Sequence, residues 1–385
     1  MARRRIPAVF IRGGTSKGVF FHAADLPADP AERDALILHV LGSPDPYQRQ
    51  LNGLGGGISS LSKAVIVALS DRPDADVDYT FAQVAVDRPI VDFSGTCGNL
   101  SSAVGPFAVD EGLIKADDGE ARVRVYSTNS DKIYHARFAV RDGQAVEDGD
   151  FVIPGVAGAG AKIALDYLDP GGALTGRLLP SGNVRDTIPV DGLGAVEVSL
   201  VDATNAVIFV DAAAMGYTAT EHPDALDADL LFMARMDEIR RKGAVMMGMA
   251  NRPDDAPLAA PKIGIVGPPR PFTALDGTAY RPDDQSLTVR MISMERVHRA
   301  VPGTNVMGIA AAARIEGTIP HEHARPGIPL RVASPSGVIP VEADVVRNPD
   351  GAWQVNAISV YRTQRRLMEG SVLAPGRVPD VRNVA

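Results

Sequence analysis

Residues 93–109 read FSGTCGNLSSAVGPFAV and form the longest stretch of the chain without a charged side chain. The small and apolar residues that follow Gly98 leave no polar face, so we expect a helix there that is buried. A second segment of this kind, NVMGIAAAA, starts at Asn305. A helix that is apolar all round must be covered by other elements. The two stretches therefore predict two helices that are each enclosed by sheet.

The flanks of these two helices are related. Gly95-Thr96-Cys97 opens the first, and EGLI follows it at 111–114. Gly303-Thr304-Asn305 opens the second, and EGTI follows it at 316–319. The two spacings differ by three residues, so chance similarity stays an alternative. We predict an imperfect internal repeat in which Cys97 corresponds to Asn305, with a hinge at 178–186.

The rest of the pattern indicates much antiparallel sheet. Amphipathic helices are predicted over 31–41 and over 227–247. Runs of β-branched or alternating apolar residues predict strands over 123–127, 134–140, 195–202, 206–211, 262–266, 330–333, 337–346 and 352–363. We expect an α/β or α+β fold of two pseudo-repeated domains, each with a mixed, largely antiparallel sheet around a central helix.

The composition excludes several classes of protein. The 385 residues include one cysteine, Cys97, so an intramolecular disulfide, a Cys-rich zinc site and an iron–sulfur cluster are all excluded. A net charge of −8 argues against nonspecific binding of nucleic acid. The first twelve residues lack the apolar run of a signal peptide, and no stretch is apolar enough to span a bilayer. These features predict a cytoplasmic protein.

A glycine-rich loop leads into a strand that begins with lysine. Residues 53–63 read GLGGGISSLSK, and the apolar run AVIVAL follows. Burial would lower the pKa of Lys63 and make a neutral amine available, as a general base requires. A lysine at the end of a strand can also extend to water, and that alternative stays open.

Cys97 lies where the first buried helix is expected to begin. Free backbone N–H groups and the helix dipole favour a thiolate or a bound anion at such a position. A lone cysteine is also a common small residue of apolar cores. A catalytic role and a packing role are therefore both open.

Three further segments carry charged or titratable side chains. Residues 11–20, IRGGTSKGVF, do not fit the phosphate-binding motif GxxxxGK[ST], but Arg12 and Lys17 flank backbone amides that suit a carboxylate. His298 precedes the second buried helix and could bind a substrate or cap the helix. The segment HEH at 321–323 reads as an exposed loop without a third ligand in register, so no metal site is predicted.

Several motifs together resemble the PrpF family of isomerases. They occur in family order over essentially the whole chain, as RGGTSKG at 12–18, GSPDP at 42–46, SLSK at 60–63, CGN at 97–99, PSGNV at 180–184, PKI at 261–263 and LMEG at 367–370. The resemblance implies a diaminopimelate-epimerase-like fold with domains 1–184, which 371–385 could complete, and 185–370. It also implies an active site in the cleft between the domains and no cofactor.

The resemblance assigns candidate site residues. The family's catalytic lysine and cysteine fall on Lys63 and Cys97. Residues expected to bind the substrate are Arg12, Thr15, Ser16, Lys17, Ser60, Gly98, Asn99, Ser293, Met294, His298, Gly303, Thr304 and Asn305. The sequence SSLSK is closer to the SSTSK of 2-methylaconitate isomerases than to the DPLTSK of the oxalomesaconate and methylitaconate groups, although Leu61 departs from that pattern.

The implied activity is cis–trans isomerisation of 2-methylaconitate or aconitate through a dienolate, with Lys63 and Cys97 as the acid–base pair. The alternatives are a 4-oxalomesaconate tautomerase and a 3-methylitaconate isomerase. A non-enzymatic alternative is an accessory protein to an aconitase-like dehydratase. The expected partners are a small carboxylate, a second copy of the chain and such a dehydratase. A racemase with paired thiols is disfavoured because Asn305 stands at the partner position.

Overall fold

The computed structural model describes residues 3–93, 95–257, 260–293 and 296–375. The chain divides into two compact units. The first consists of Met1–Asp166 and Tyr361–Ala385, and the second of Tyr167–Val360. The boundary expected after residue 184 and the hinge expected at 178–186 both fall within the second unit.

The N-terminal part of the chain is mainly sheet. Its helices are α1 (Pro30–Leu41) and α2 (Ser101–Asp110). Its strands are β1 (Arg3–Gly13), β2 (Ser16–His22), β3 (Lys63–Leu69), β4 (Val77–Val84), β5 (Val91–Asp92), β6 (Gly119–Ser127), β7 (Lys132–Arg141), β8 (Gln144–Ala145) and β9 (Ile163–Leu168).

The following part adds helices on a second set of strands. The strands are β10 (Asp186–Val190), β11 (Gly194–Asp202), β12 (Ala206–Asp211), β13 (Lys262–Gly267), β14 (Phe272–Thr273), β15 (Ala279–Tyr280), β16 (Leu287–Ser293), β17 (Arg296–Val297), β18 (Leu330–Ser334), β19 (Gly337–Arg347) and β20 (Trp353–Arg362). The helices are α3 (Pro223–Ala228), α4 (Leu230–Met246), α5 (Gly303–Ala312) and α6 (Ile319–His323). The chain then returns to the first unit as β21 (Gln364–Pro375).

In the first unit the sheet encloses α2. Strands pair in the order β21-β1-β2-β3-β4-β6-β7, and α2 contacts β1, β4, β6, β7 and β21. Every residue of α2 before Asp110 is buried. A Cβ at Gly105 would lie 2.8 Å from the Phe138 ring and 2.9 Å from the Ala136 methyl, so only glycine allows this close packing. The helix predicted from its uncharged sequence is therefore a core helix.

The second unit repeats the strand pairing of the first. Neighbours in the series β1-β2-β3-β4-β6-β7 pair in the order antiparallel, parallel, antiparallel, parallel, antiparallel. The series β11-β12-β13-β16-β18-β19 has the same order. In each unit the enclosed helix follows the fourth strand and a two-residue strand, and it precedes the fifth strand. The predicted internal repeat is confirmed.

The first turn of each enclosed helix sets the correspondence between the repeats. The Ser101 N–H donates to the Cys97 carbonyl, and the Val306 N–H donates to the Pro302 carbonyl, both at 3.0 Å. Counted from these bonds, Cys97 corresponds to Pro302. The sequence match of Cys97 with Asn305 is therefore offset from the structural one, because a shared Gly-Thr pair does not determine which residue opens the helix.

Two local predictions were wrong. The single helix expected over 227–247 is divided into α3 and α4, because the Asp229 carboxylate accepts the Phe232 N–H at 2.9 Å and caps a new helix. The segment 321–323 lies in α6 and not in a loop, since Thr318 Oγ1 accepts the His321 N–H at 3.3 Å. In the described ranges, no cluster of three or more His, Cys, Asp or Glu residues is arranged to hold a metal ion. No helix among them has the length and apolarity needed to cross a membrane.

Candidate active site

Lys63 is the first residue of β3, and 8 % of its surface is exposed. Its Nζ donates a hydrogen bond to Gln83 Oε1 at 2.5 Å and lies 4.8 Å from the centre of the Phe81 ring. Burial lowers the pKa of Lys63, and an electrostatic interaction with Cys97 opposes that shift. The side chain therefore does not extend to water, and the lysine and cysteine are close enough to interact electrostatically.

Cys97 lies at the start of α2, with 7 % of its surface exposed. The Leu100 N–H donates to its Sγ at 3.5 Å. Its carbonyl accepts the Ser101 hydroxyl at 2.7 Å and the Tyr79 hydroxyl at 3.4 Å. These bonds fix the turn, and they place the sulfur beside a backbone donor at the positive end of a helix.

The turn between β1 and β2 lies against the turn that carries Cys97. Asn99 Nδ2 donates to Thr15 Oγ1 at 3.0 Å and to Ser16 Oγ at 3.4 Å. Arg362 Nε donates to Asn99 Oδ1 at 3.3 Å. Gly14 has φ +52°, and a Cβ there would lie 2.4 Å from Asn99 Oδ1. Three of the predicted substrate-binding residues are thus brought together, and they bond to one another.

Arg12 and Lys17 are register partners across the same turn. Arg12 Nη1 donates to the carbonyls of Gly14 and Thr363, both at 3.0 Å. Burial lowers the pKa of Arg12, and the charge of a nearby arginine adds to the effect. Lys17 Nζ lies 5.5 Å from the centre of the Phe10 ring. The hydrogen bonds of Arg12 therefore hold the turn together, a structural task that the sequence reading did not assign to it.

A buried glutamine that the sequence reading missed holds the glycine-rich loop. Gln50 Nε2 donates to Ser43 Oγ at 2.8 Å and to Ser62 Oγ at 2.7 Å, while its Oε1 accepts the Gly57 N–H at 2.9 Å. Ser60 lies in the adjacent 3-10 turn Ser59–Leu61. The loop is therefore fastened directly to the residue before Lys63. No motif marks Gln50; its role follows from three contacts that only the folded chain brings together.

In the second unit, a lysine opens β13 as Lys63 opens β3. Lys262 Nζ donates to Ser293 Oγ at 2.8 Å, and burial lowers the pKa of Lys262. The Ala300 N–H donates to His298 Nδ1 at 3.0 Å. Burial lowers the pKa of His298 as well, and the charge of Lys262 contributes. Ser293 and His298 were predicted site residues, whereas Lys262 was not, although it lies in the motif PKI.

The remaining predicted residues of the second unit lie at the start of α5, which begins at Gly303. The Thr304 carbonyl accepts the Thr204 hydroxyl at 3.0 Å, and Asn205 Nδ2 donates to Thr304 Oγ1 at 3.5 Å. Asn305 is fully buried, and its Nδ2 has no hydrogen-bond partner within the part of the chain that the structure describes. Met294 lies outside the described residues.

Comparisons with known proteins identify relatives that match almost the whole chain. The family model described as PrpF protein matches residues 3–375. A 2-methyl-aconitate isomerase of Cupriavidus necator is 41 % identical over 388 residues, which cover 97 % of this chain and 98 % of that protein. A crystal structure of a methylitaconate-delta-isomerase matches with a TM-score of 0.90 and 41 % identity, over 97 % of this chain and 96 % of that one.

A more distant likeness concerns the fold alone. A hydroxyproline epimerase from Agrobacterium vitis is 14 % identical and matches with a TM-score of 0.51, over 98 % of this chain and 94 % of that one. Together with the repeated strand order, it confirms the diaminopimelate-epimerase-like α/β fold. The relatives at 41 % identity are both isomerases by name. The chain is an isomerase and belongs to the PrpF family.

Proposed function

We propose that the chain catalyses a cofactor-independent proton shift on a small unsaturated tricarboxylate, with 2-methylaconitate or aconitate as substrate and Lys63 and Cys97 as the acid–base pair. One observation carries the proposal. A buried lysine whose pKa is lowered interacts electrostatically with a buried cysteine at the start of an enclosed helix. General acid–base catalysis is most efficient when both groups titrate near the working pH.

The reaction requires that a proton leaves the carbon γ to a carboxylate and that a proton is returned to the allylic system. For cis–trans isomerisation it returns to the same γ carbon, and for an allylic double-bond shift it is added to the α carbon. In one direction neutral Lys63 accepts the first proton and the Cys97 thiol supplies the second, and in the other direction the roles are exchanged. The dienolate between these steps is anionic, so it needs donors that are already in place. Its central bond is single, and rotation about that bond before reprotonation interconverts cis and trans isomers.

The substrate contacts are part of the same proposal. The positive end of α2 at Gly98 and Asn99 suits a carboxylate oxygen. The remaining proposed contacts of the first unit are Arg12, Thr15, Ser16, Lys17 and Ser60. Those proposed in the second unit are Ser293, Met294, His298, Gly303, Thr304 and Asn305.

The choice of substrate rests on a short segment. Overall identity does not separate the alternatives, because the 2-methyl-aconitate isomerase and the methylitaconate-delta-isomerase are both 41 % identical to this chain. The sequence SSLSK at 59–63 favours 2-methylaconitate. Incubation of the purified protein with aconitate, 2-methylaconitate, 4-oxalomesaconate and 3-methylitaconate, followed by NMR, ranks the four substrates. Fastest turnover of 2-methylaconitate is expected, and fastest turnover of another would replace it.

The acid–base pair is tested by Lys63→Met and Cys97→Ser. Each variant is assayed for uptake of solvent deuterium into 2-methyl-trans-aconitate, and we expect each to lose at least about 100-fold in rate, the usual contribution of a positioned acid or base. Circular dichroism confirms that the variants are folded. Full activity of either variant would remove that residue from the mechanism.

We also propose that the chain is a cytoplasmic homodimer that acts beside an aconitase-like dehydratase. Analytical ultracentrifugation tests the dimer. Isomerisation by the pure protein without any dehydratase would show that this partner is not required for turnover.

A further inference from the structure

Gln83 contacts the candidate base directly. Lys63 on β3 and Gln83 on β4 are register partners in an antiparallel strand pair, so their side chains leave the same face of the sheet. The Lys63 Nζ lies 2.5 Å from Gln83 Oε1. Phe81 lies two residues earlier on β4, and the centre of its ring is 4.8 Å from the same nitrogen. Both contacts are neutral, so neither supplies a carboxylate that would hold Lys63 permanently charged.

The orientation of the Gln83 amide is fixed by its other bonds. Its Nε2 donates to the Ser59 carbonyl and to the Ser62 carbonyl, each at 3.0 Å. A flipped amide would turn its NH₂ group toward the lysine Nζ and its oxygen toward two carbonyl oxygens. That oxygen would then face two acceptors, which have no hydrogen to donate to it. Oε1 is therefore the atom that faces Lys63.

We infer that Gln83 is a positioning residue for Lys63, which accepts one N–H of the amine and so directs the nitrogen lone pair toward the substrate. The inference rests on the proposed role of Lys63 as the proton-transfer group. A neutral amine has one lone pair, and an N–H fixed on Oε1 restricts the directions in which that pair can point. Gln83 also fastens the 3-10 turn Ser59–Leu61 to the base, so the glycine-rich loop and the lysine move together.

The repeated strand pair of the second unit shows what this glutamine adds. There Lys262 bonds to the hydroxyl of Ser293 at 2.8 Å. A hydroxyl can rotate and can act as donor or acceptor, so it does not impose one orientation on the amine. An amide that is held by two further hydrogen bonds does impose one orientation on the amine. Of the two strand-opening lysines, the one beside Cys97 has the rigid neutral acceptor.

Two variants separate positioning from general support. Gln83→Met keeps the length of the side chain but removes the acceptor, and we expect kcat to fall at least about tenfold with KM little changed, since misplacement of a reacting group affects the chemical step. Gln83→Glu keeps an acceptor but adds a negative charge, which raises the pKa of a neighbouring ammonium. Because the base must be neutral, the acidic limb of the kcat–pH profile should move to higher pH.

Gln285 provides a matched control. It is a fully buried glutamine of the second unit whose Nε2 also donates to two backbone carbonyls, those of Arg270 at 2.6 Å and Arg281 at 3.3 Å. Gln285→Met should lower the melting temperature but keep the kcat of the parent, and Gln285→Glu should leave the acidic limb at its original pH. A merely structural Gln83 would behave in the same way.

The pKa of the Lys63 amine itself is measured by heteronuclear NMR on lysine-labelled protein, with the signal assigned by its absence in Lys63→Met. This measurement needs folded protein but no activity, and Gln83→Glu should raise the pKa. The inference is overturned if both Gln83 variants keep the kcat and the pH profile of the parent while Lys63→Met is inactive. If Lys63→Met is itself fully active, the proposed function fails instead, so the two failures are distinguishable.

Discussion

The chemistry of single residues in the candidate site depends on neutral surroundings. Lys63 opens a buried strand, with an amide oxygen and an aromatic ring as neighbours. Burial without a carboxylate partner disfavours the ammonium, which is why its pKa is lowered. Activity that needs the neutral amine should therefore rise with pH through a pKa below that of an ordinary lysine. Lys63 and Cys97 could be predicted from the sequence. Gln83 could not, because only the strand register places it opposite the lysine.

A substitution at Gly14 tests whether the turn between β1 and β2 tolerates a side chain next to Asn99. It has φ +52°, and an added Cβ would lie 2.4 Å from Asn99 Oδ1. We expect Gly14→Ala to lower the free energy of unfolding by about 1–3 kcal/mol, the usual cost of a left-handed backbone at a residue with a side chain. We also expect kcat/KM to fall at least about tenfold, because Asn99 must move and it is bonded to Thr15.

A second glycine separates these two effects. Gly112 has φ +72°, but a Cβ there meets nothing within 4 Å. Gly112→Ala should therefore lose stability in urea unfolding by a similar amount and keep its kcat/KM. Equal losses of kcat/KM in the two alanine variants would show that the contact with Asn99 is unimportant.

Among the elements, those defined by local pattern were predictable. The strand expected over 206–211 is β12 with the same bounds, and the helix expected over 31–41 is α1 with one added residue. The enclosed helices were predictable because uncharged runs of small residues cannot face water. The hairpin β1–β2 could not be predicted, because its segment 11–20 contains three glycines and two charged residues. Its strand β1 is held in place by pairing with β21. That partner is contributed by the opposite end of the chain.

The sequence also did not reveal which residues of the two repeats correspond to each other. Gly-Thr precedes both Cys97 and Asn305, but Cys97 corresponds to Pro302 by the hydrogen bonds that open the helices. The strand pattern carries the repeat more faithfully than the motif does. It aligns the first residue of β3 with that of β13, which are Lys63 and Lys262. Strand pairing depends on contacts between distant segments, and a single sequence does not display them.

Asn129 holds the part of β4 that carries the neighbours of Lys63. Pairing of β4 with β6 ends at Tyr79, and the Asn129 side chain continues it. Its Oδ1 accepts the Phe81 N–H at 2.7 Å, and its Nδ2 donates to the carbonyls of Phe81 and Phe93 at 2.9 and 2.6 Å. We expect Asn129→Ala to lower the free energy of unfolding by about 2–3 kcal/mol, since three backbone groups lose their partner.

A half-buried asparagine whose side chain makes an exposed hydrogen bond serves as the comparison. Asn348 Nδ2 donates to Gln354 Oε1 at 3.2 Å on the surface. Asn348→Ala should change the free energy of unfolding by no more than about 0.5 kcal/mol. Urea denaturation measures both variants. If Asn129→Ala costs no more than Asn348→Ala, the side chain does not substitute for a strand.

For the molecule as a whole, the first unit is built from both ends of the chain. β1 pairs with β21 along its whole length, from Arg3 opposite Pro375 to Gly13 opposite Gln364. The second unit, Tyr167–Val360, is one continuous segment. The sequence reading placed the last residues with the first domain, but it could not show the strand pair that joins them. The core of the first unit therefore depends on β21, which follows the whole second unit in the sequence.

Val372 on β21 tests this dependence. It is 8 % exposed and belongs to an apolar cluster with Ile6 of β1 and with Leu36 and Ile37 of α1. Val372→Asp places a carboxylate in that cluster, and we expect it to lower the stability of the first unit by roughly 3 kcal/mol or more. In hydrogen–deuterium exchange, peptides from β3 and β7 of the first unit should exchange faster than in the parent protein. Peptides from β11 and β12, which belong to the second unit, should keep their protection.

The neighbouring residue gives the control. Leu373 is 48 % exposed and stands on the opposite face of β21. Leu373→Asp should change stability by no more than about 0.5 kcal/mol and leave exchange in both units as in the parent. Faster exchange in β11 and β12 of Val372→Asp would show that the two units unfold together. In that case the second unit, although continuous in sequence, would depend for its own stability on β21.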